Sequence, residues 1–324
     1  MKRLFLKSLA ALAAASLAAP LAFAQGGYPE RPIRVIVPFP PGGSVDPIMR
    51  IVAPRLGELL GQPVVIDNRA GANSAIGAGM VAKAAPDGYT LLFTAGSTHV
   101  IVPLQAPQSS DFLKDFAPVA GVSRSSYILA VHNSVPARTL PEFIAYAKAN
   151  PGKLNYASSG VGNLNHLAAE LFNLRAGTKV VHVPYKGGGP AVQDFLAGRV
   201  QMMITNVPTL QPHVDAGALR ALAYTTARPG GPQVPTFSQY GLSELESIEP
   251  YLVLLAPART PEPVIAKLTA AMQKLLAMPD VVKAIDTQLQ SPYYLNPQQL
   301  GQRLQEDNAR VKEVIEKAHI VLTP

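Results

Sequence analysis

Two corners of this 324-residue chain carry the residue types best suited to holding a small anion. The first is Val37-Pro-Phe-Pro-Pro-Gly-Gly43, followed by Ser44-Val45-Asp46-Pro47; the second, Val183-Pro-Tyr-Lys-Gly-Gly-Gly189, echoes it. Each ends an apolar run of strand character and precedes a helical pattern. The first N–H groups of a helix lack intrahelical acceptors, and the helix dipole favours negative charge beside them. A strand that turns through glycines into a helix therefore offers an anion site made of main chain. Turn chemistry alone also produces such corners in a chain with 25 glycines and 31 prolines. The echo favours two similar lobes, each aiming its strand-end loops at a shared cleft.

Covalent and metal chemistry find little footing. No G-x-S-x-G elbow occurs, and Ser158-Ser159-Gly160 is out of register for one. Histidines at 99, 132, 166, 182, 213 and 319 show no metal-ligand spacing, and for His182 a packed structural imidazole outweighs a site role. The absence of cysteine removes thiol nucleophiles, thiolate metal sites and disulfides. Gly77-Ala-Gly79-Met-Val-Ala82 matches the dinucleotide fingerprint, yet residues 68–73 separate it from the preceding strand and the glycines fall inside a helix. Close helix packing explains them better. Asp46 is the one acid at the first corner: it either caps its helix, with Pro47 at the first helical position, or touches a ligand. Acid–base catalysis needs a partner group that the sequence does not supply. No catalytic residue, metal or cofactor is expected, and binding without conversion is the simplest account.

The elements that must position these corners alternate. Strand 33–37 precedes a helix over 46–60, strand 64–67 a helix over 74–84 with Ser74 as cap, and strand 90–95 follows. A second cycle runs through strand 126–131, helix 139–150, strand 154–157, helix 163–174, strand 179–183, helix 190–197 and strand 200–205. Strand 251–256, helix 263–276 and a long amphipathic helix over 297–318 complete the chain. This alternation predicts an α/β fold of two lobes, each a mixed, mostly parallel sheet covered by helices.

Residues 1–24 combine Lys2, Arg3 and Lys7, an Ala/Leu-rich run and Ala22-Phe23-Ala24, the pattern of a signal peptide cleaved near Ala24. The apolar run is short and alanine-rich for a membrane helix, the alternative reading. An exported, periplasmic protein is expected. Without those three cations the formal charge of +7 falls to +4, and no basic run is present, so nucleic acid has no patch to bind. The remaining 300 of 324 residues suffice for two lobes: 25–125 with 228–324, and 126–227.

The segments YPERPIRVIVPFPPGGSVD, GQPVVIDNRAGANSAIGA, AAPDGYTLL, PGKLNYASSGVGNLNHLAAELF, VHVPYKGGGPAVQDFLAGRV and LLAPARTPEPVIAKL resemble, in order, the Bug-type (TctC-like) solute receptors of tripartite tricarboxylate transporters. The resemblance covers nearly the whole chain after residue 24. It implies a type II periplasmic-binding-protein (venus-flytrap) fold, a small-molecule carboxylate ligand (a di- or tricarboxylate or an aromatic carboxylate), membrane permease subunits as partners, and a monomer. In the family the carboxylate is held by backbone N–H groups and ordered waters.

Carried over by position, the resemblance places Phe39, Gly42, Gly43, Ser44 and Asp46 of the first loop at the ligand, with Ala72 and Asn73 beside them. Opposite stand Ser158, Ser159, Gly160 and His166, then Tyr185, Lys186 and Gly187 of the echo loop, and Asn206. Lys186 is either a solvated surface cation or a point charge for a second carboxylate. Val45, Val161, Leu164 and Thr205 depart from the family's polar pattern, which would suit a less polar or aromatic carboxylate. A ligand-loaded receptor that docks on a membrane sensor is the alternative to transport, and an exported enzyme on the same scaffold is a third reading without supporting residues.

Overall fold

The computed structural model describes residues 27–105, 112–226, 234–317 and Ile320. The expected signal peptide lies outside them. Strands β1 (Ile33–Val37), β2 (Val64–Asn68), β3 (Thr90–Ala95), β4 (Phe116–Arg124), β10 (Tyr251–Pro257) and β11 (Ser291–Leu295) form one sheet in the order β11-β4-β10-β3-β1-β2. Strands β5 (Tyr127–His132), β6 (Asn155–Ser158), β7 (Val181–Pro184), β8 (Met202–Asn206) and β9 (Leu219–Tyr224) form the other, ordered β7-β6-β8-β5-β9. The first lobe carries helices α1 (Asp46–Leu60), α2 (Ala75–Ala82), α3 (Thr98–Gln105), α4 (Phe112–Asp115), α9 (Glu262–Leu276) and α10 (Pro279–Thr287). The second carries α5 (Leu140–Ala149), α6 (Leu164–Ala176), α7 (Gly188–Leu196) and α8 (Val207–Asp215), and α11 (Pro297–Lys317) closes the chain.

Both lobes are sheets covered on two faces, which is why their strands read as apolar runs. In β1, Ile33, Val35 and Val37 pack with residues of α1, α9 and α10, while Ile36 packs with residues of α2 and α11. The parallel pairs β1/β2, β1/β3, β6/β7 and β6/β8 leave their strand ends, and hence both glycine corners, on the side where helices begin. The sheets are mixed, as expected, with a smaller parallel share. Strands β4, β5, β9 and β10, by which the chain crosses to the second lobe and returns, pair antiparallel with their neighbours.

Several elements had no clear sequence signal. Strand β4 carries Pro118 and Gly121, residue types depleted in strands; Pro118 sits at a register shift against β10, where a missing donor is tolerated. A Cβ on Gly121 would lie 2.7 Å from the Tyr293 carbonyl oxygen, so glycine lets β11 approach. Phe237, Leu242, Leu245 and Ile248, within the stretch that the sequence assigns to the first lobe, pack in the second lobe's core. Helix α11 spans both lobes: Leu300 and Leu304 enter a core cluster of the first, Val311 and Val314 one of the second. At the crossing, Thr226 Oγ1 donates to Glu249 Oε1 at 2.5 Å and Ser126 Oγ to the Thr226 carbonyl at 3.0 Å.

Candidate functional site

The first corner leaves β1 and is braced from beneath by Asp46. Gly42, in a left-handed conformation (φ +80°), donates its N–H to Asp46 Oδ2 at 3.1 Å. Asn68, at the end of β2, donates to Asp46 Oδ1 at 3.0 Å and to the Phe39 carbonyl at 3.1 Å, and Arg50 Nε approaches Asp46 Oδ2 at 2.8 Å. Asp46 is 2% exposed, so its carboxylate is spent on the loop. This corrects the expectation of an N-cap: Val45 holds the cap position, Asp46 is the first helical residue, and no side chain caps the helix. Ser74 precedes α2 in the cap position, also without a side-chain cap bond. Burial opposes the Asp46 charge, and the hydrogen bonds from Arg50, Asn68 and Gly42 outweigh it, holding the carboxyl below its ordinary range.

The same corner is fixed at two further points. A Cβ on Gly77 would lie 2.8 Å from Pro38 Cβ and 2.9 Å from the Arg69 carbonyl oxygen, as close packing predicts, whereas a Cβ on Gly79 would meet nothing within 4 Å, so packing does not account for the second glycine. Gln290 Nε2 donates to the Ser44 carbonyl at 2.8 Å, while Gln290 Oε1 accepts from Ser123 Oγ at 2.8 Å.

In the second lobe, the loops after β6 and β7 are stitched together. Tyr185 N–H donates to the Ser158 carbonyl at 3.0 Å and Gly187 N–H to the Ser159 carbonyl at 3.2 Å. Ser158 is fully buried; its hydroxyl meets His182 Nε2 at 2.5 Å and the Gly160 carbonyl at 3.1 Å. Ser159 Oγ donates to Asn165 Oδ1 at 3.1 Å. His166, 5% exposed, lies beneath the loop and accepts the Gly162 N–H on Nδ1 at 3.0 Å. His182, His166 and Tyr156 form a cluster of near-parallel rings, with His182 at centroid distances of 4.9 Å from Tyr156 and 3.9 Å from His166 and the latter two 6.4 Å apart. Burial pushes both imidazoles down to about 4, the neighbouring ring adding to the effect at His182, so both are neutral at pH 7.

Of the residues expected at the ligand, Phe39, Gly42, Gly43 and Ser44 form the first corner, and Ser159, Gly160, Lys186 and Gly187 the loops opposite. Ser44 and Asn206 bring the lobes together: Asn206 Nδ2 stands 3.5 Å from Ser44 Oγ. Gly187 (φ +108°) is the N-cap of α7, whose first turn offers the N–H groups of Gly188 and Gly189. Asp46, Ser158 and His166 support these loops from inside. Tyr185 turns its hydroxyl to Asp194 on α7, at 2.8 Å. Ala72 and Asn73 lie in a one-turn 3-10 helix before α2.

Val45 is buried in the first core, Leu164 packs against the second, and Thr205 is buried. Three of the four departures from the family pattern, Val45, Leu164 and Thr205, thus contribute to the interiors of the lobes, and Val161 is half-buried. Sequence reasoning missed Asn68 and Gln290. Asn68, polar at the end of an apolar strand, carried a local signal; Gln290 did not, because its partner Ser44 is 246 positions away.

Over residues 48–320 the chain matches the family described as TctC, "Tripartite tricarboxylate transporter family receptor". It is similar to Protein BugT of Bordetella pertussis (strain Tohama I), with 39% identity over 292 residues, covering 89% of each chain. Among solved structures it is similar to "R. palustris Rpa4515 with adipate", at 33% identity and a TM-score of 0.81, covering 91% of this chain and 99% of that one. "MatC (Rpa3494) from Rhodopseudomonas palustris with bound malate" matches at 31% identity and a TM-score of 0.74, over 89% of this chain and 100% of that one.

Proposed function

We propose, on the premise that the chain belongs to the TctC family of tripartite tricarboxylate transporter receptors, that it captures a small aliphatic di- or tricarboxylate between its lobes and delivers it to membrane permease subunits. Members of the family are periplasmic solute-binding receptors, not enzymes.

The observation that carries the reading is the approach of Ser44 and Asn206 across the cleft, Ser44 in the loop that leads from β1 into α1 and Asn206 at the end of β8 and the start of α8. A carboxylate bound there would meet main-chain N–H groups from both lobes. Adipate and malate in the two related structures support the ligand class. Val45 is buried and Leu164 is half-buried against the second lobe's core, which weakens the case that these two residues make for an aromatic ligand.

In this mechanism the first corner, pre-shaped by Asp46, Asn68 and Gln290, receives one carboxylate at the N-terminus of α1. The loops after β6 and β7 close on the other end of the ligand, with Lys186 supplying a point charge. Only contacts stronger in the closed state shift the lobes, so a ligand that spans both corners drives closure and one that touches a single lobe does not.

Thermal unfolding against malate, adipate, citrate, benzoate and glutamate tests the reading, since a ligand bound only by the folded state raises the midpoint. An upward shift with an aliphatic di- or tricarboxylate is expected. A shift with benzoate alone would contradict it.

A further inference from the structure

We propose that the turn Leu289–Gln290 is the positioning element that couples lobe closure to the shape of the ligand corner, with Leu289 as an apolar wedge and Gln290 as the tie. The proposal rests on the receptor reading and goes beyond the corners themselves.

Leu289 follows α10 in the left-handed conformation (φ 55°). The hydrogen bonds there are Gln290 N–H to the Ile285 carbonyl and Leu289 N–H to the Asp286 carbonyl, at 3.4 and 2.9 Å. That is the Schellman pattern of a helix C-terminus, in which the residue holding Leu289's place is usually glycine. A leucine there is strained, and such strain persists where the surroundings over-determine it. Glycine would end the helix as well, so the reason for leucine lies in what its side chain touches.

What it touches belongs to the other lobe. Helix α10 and strand β11 flank the turn and both belong to the first lobe: Ile285 sits in its core and β11 in its sheet. Leu289 instead packs against the cluster of β5, β8, β9, α7 and α8 that includes Val207, Leu210 and Tyr224. Val207 is the residue next to Asn206, whose amide approaches Ser44.

The following residue turns the opposite way. Gln290, 6% exposed, spends its donor on the Ser44 carbonyl and its acceptor on Ser123, at the end of the strand that crosses between the lobes. Two adjacent residues thus join the second lobe's core, the ligand corner and the crossing strand. Opening the lobes would draw Leu289 out of an apolar contact and load the turn that holds Ser44.

The chain has no cysteine, so spin labels on cysteines replacing the exposed Lys83 and Lys153 report the interlobe distance without background. Leu289→Gly keeps the helix end, relieves the strained conformation and removes the wedge. Without ligand, its distance distribution is expected to differ from that of the ligand-free parent protein, and in a protein that binds adipate the affinity is expected to be about tenfold weaker with an unchanged saturated distance. Gln290→Ala is expected to weaken affinity while leaving the ligand-free distribution in place. A Leu289→Gly distribution identical to that of the parent protein overturns the proposal. The ligand-free measurement needs no binding, so failure of the parent protein to bind adipate or malate strikes the receptor reading separately.

Discussion

The imidazole rings of His166 and His182 stack face to face, with centroids 3.9 Å apart and planes 12° apart, beneath the end of β6 and the loop that follows it. Each meets a loop group: His166 accepts the Gly162 N–H, and His182 meets the Ser158 hydroxyl. The elements packed around the pair contribute Tyr156 on β6, which donates to Glu170 on α6. Charging either ring sets a cation against its neighbour in a desolvated cluster.

The sign of the resulting pH dependence follows from linkage. Both rings fall from the ordinary 6.5 to about 4 on folding, so the unfolded chain binds more protons between those values and stability rises with pH there. Their contribution is complete above about pH 6.5 and is lost as the pH drops toward 4. Urea midpoints measured from pH 7 to 4 are expected to decline, and the decline should flatten in His182→Phe, which keeps the stack without the charge. An unchanged slope in that variant would remove the pair as its source.

Asp46→Ala leaves the Gly42 N–H, the Asn68 amide and Arg50 without their shared acceptor. Hydrogen bonds to a charged group contribute about 1.5–3 kcal/mol each, and a buried donor left unpaired costs more than the bond itself. A stability loss of about 3 kcal/mol is expected, together with weaker carboxylate binding because the first corner slackens. A loss near 1 kcal/mol with normal affinity would fit only a helix cap. Since the Asp46 carboxyl is held below its ordinary value of 3.8, its contribution is present above that pH and fades as the pH falls further.

Gly188→Asp separates binding from folding at the echo loop. Gly187, with φ +108°, admits no side chain without strain, whereas a Cβ on Gly188 meets nothing within 4 Å. An aspartate in the first turn of α7 suits the helix dipole, so the unfolding midpoint should hold or rise. Carboxylate affinity should be abolished, because the new charge occupies the place of the anion. Unchanged affinity by calorimetry would take this loop out of the site.

Gly77→Ala forces a methyl group against Pro38 and the Arg69 backbone, at 2.8 and 2.9 Å. Overpacking of this kind costs about 1–3 kcal/mol. The displaced Pro38 would shift the first corner, so affinity should fall with stability. Gly79→Ala, where a Cβ has open space, is the control and should do neither.

Much of this was legible because it is local. The corners at 37–43 and 183–189 announce themselves by apolar strands ending in proline and glycine, and the helices that follow begin where the hydrophobic period changes. Asp46 is legible as the one acid at the first corner, with a cap and a ligand contact as the two roles open to it; the cap does not form, because the loop folds back so that Gly42 and Asn68 reach the carboxylate. Strands β4 and β11 were hidden by Pro118 and Pro292, acceptable at a register shift and in an edge strand. Leu289 and Gln290 carry no local signal, because their partners lie in the other lobe or 246 residues away.

Calorimetric titration of malate and of adipate into the parent protein and into Asn206→Ala is the most direct test of a carboxylate clamped between the two corners. Saturable one-to-one binding of at least one of them, weakened tenfold or more in the variant, is the predicted result. Binding of equal strength in both proteins would contradict the interlobe clamp, and no binding of either one would contradict a dicarboxylate ligand.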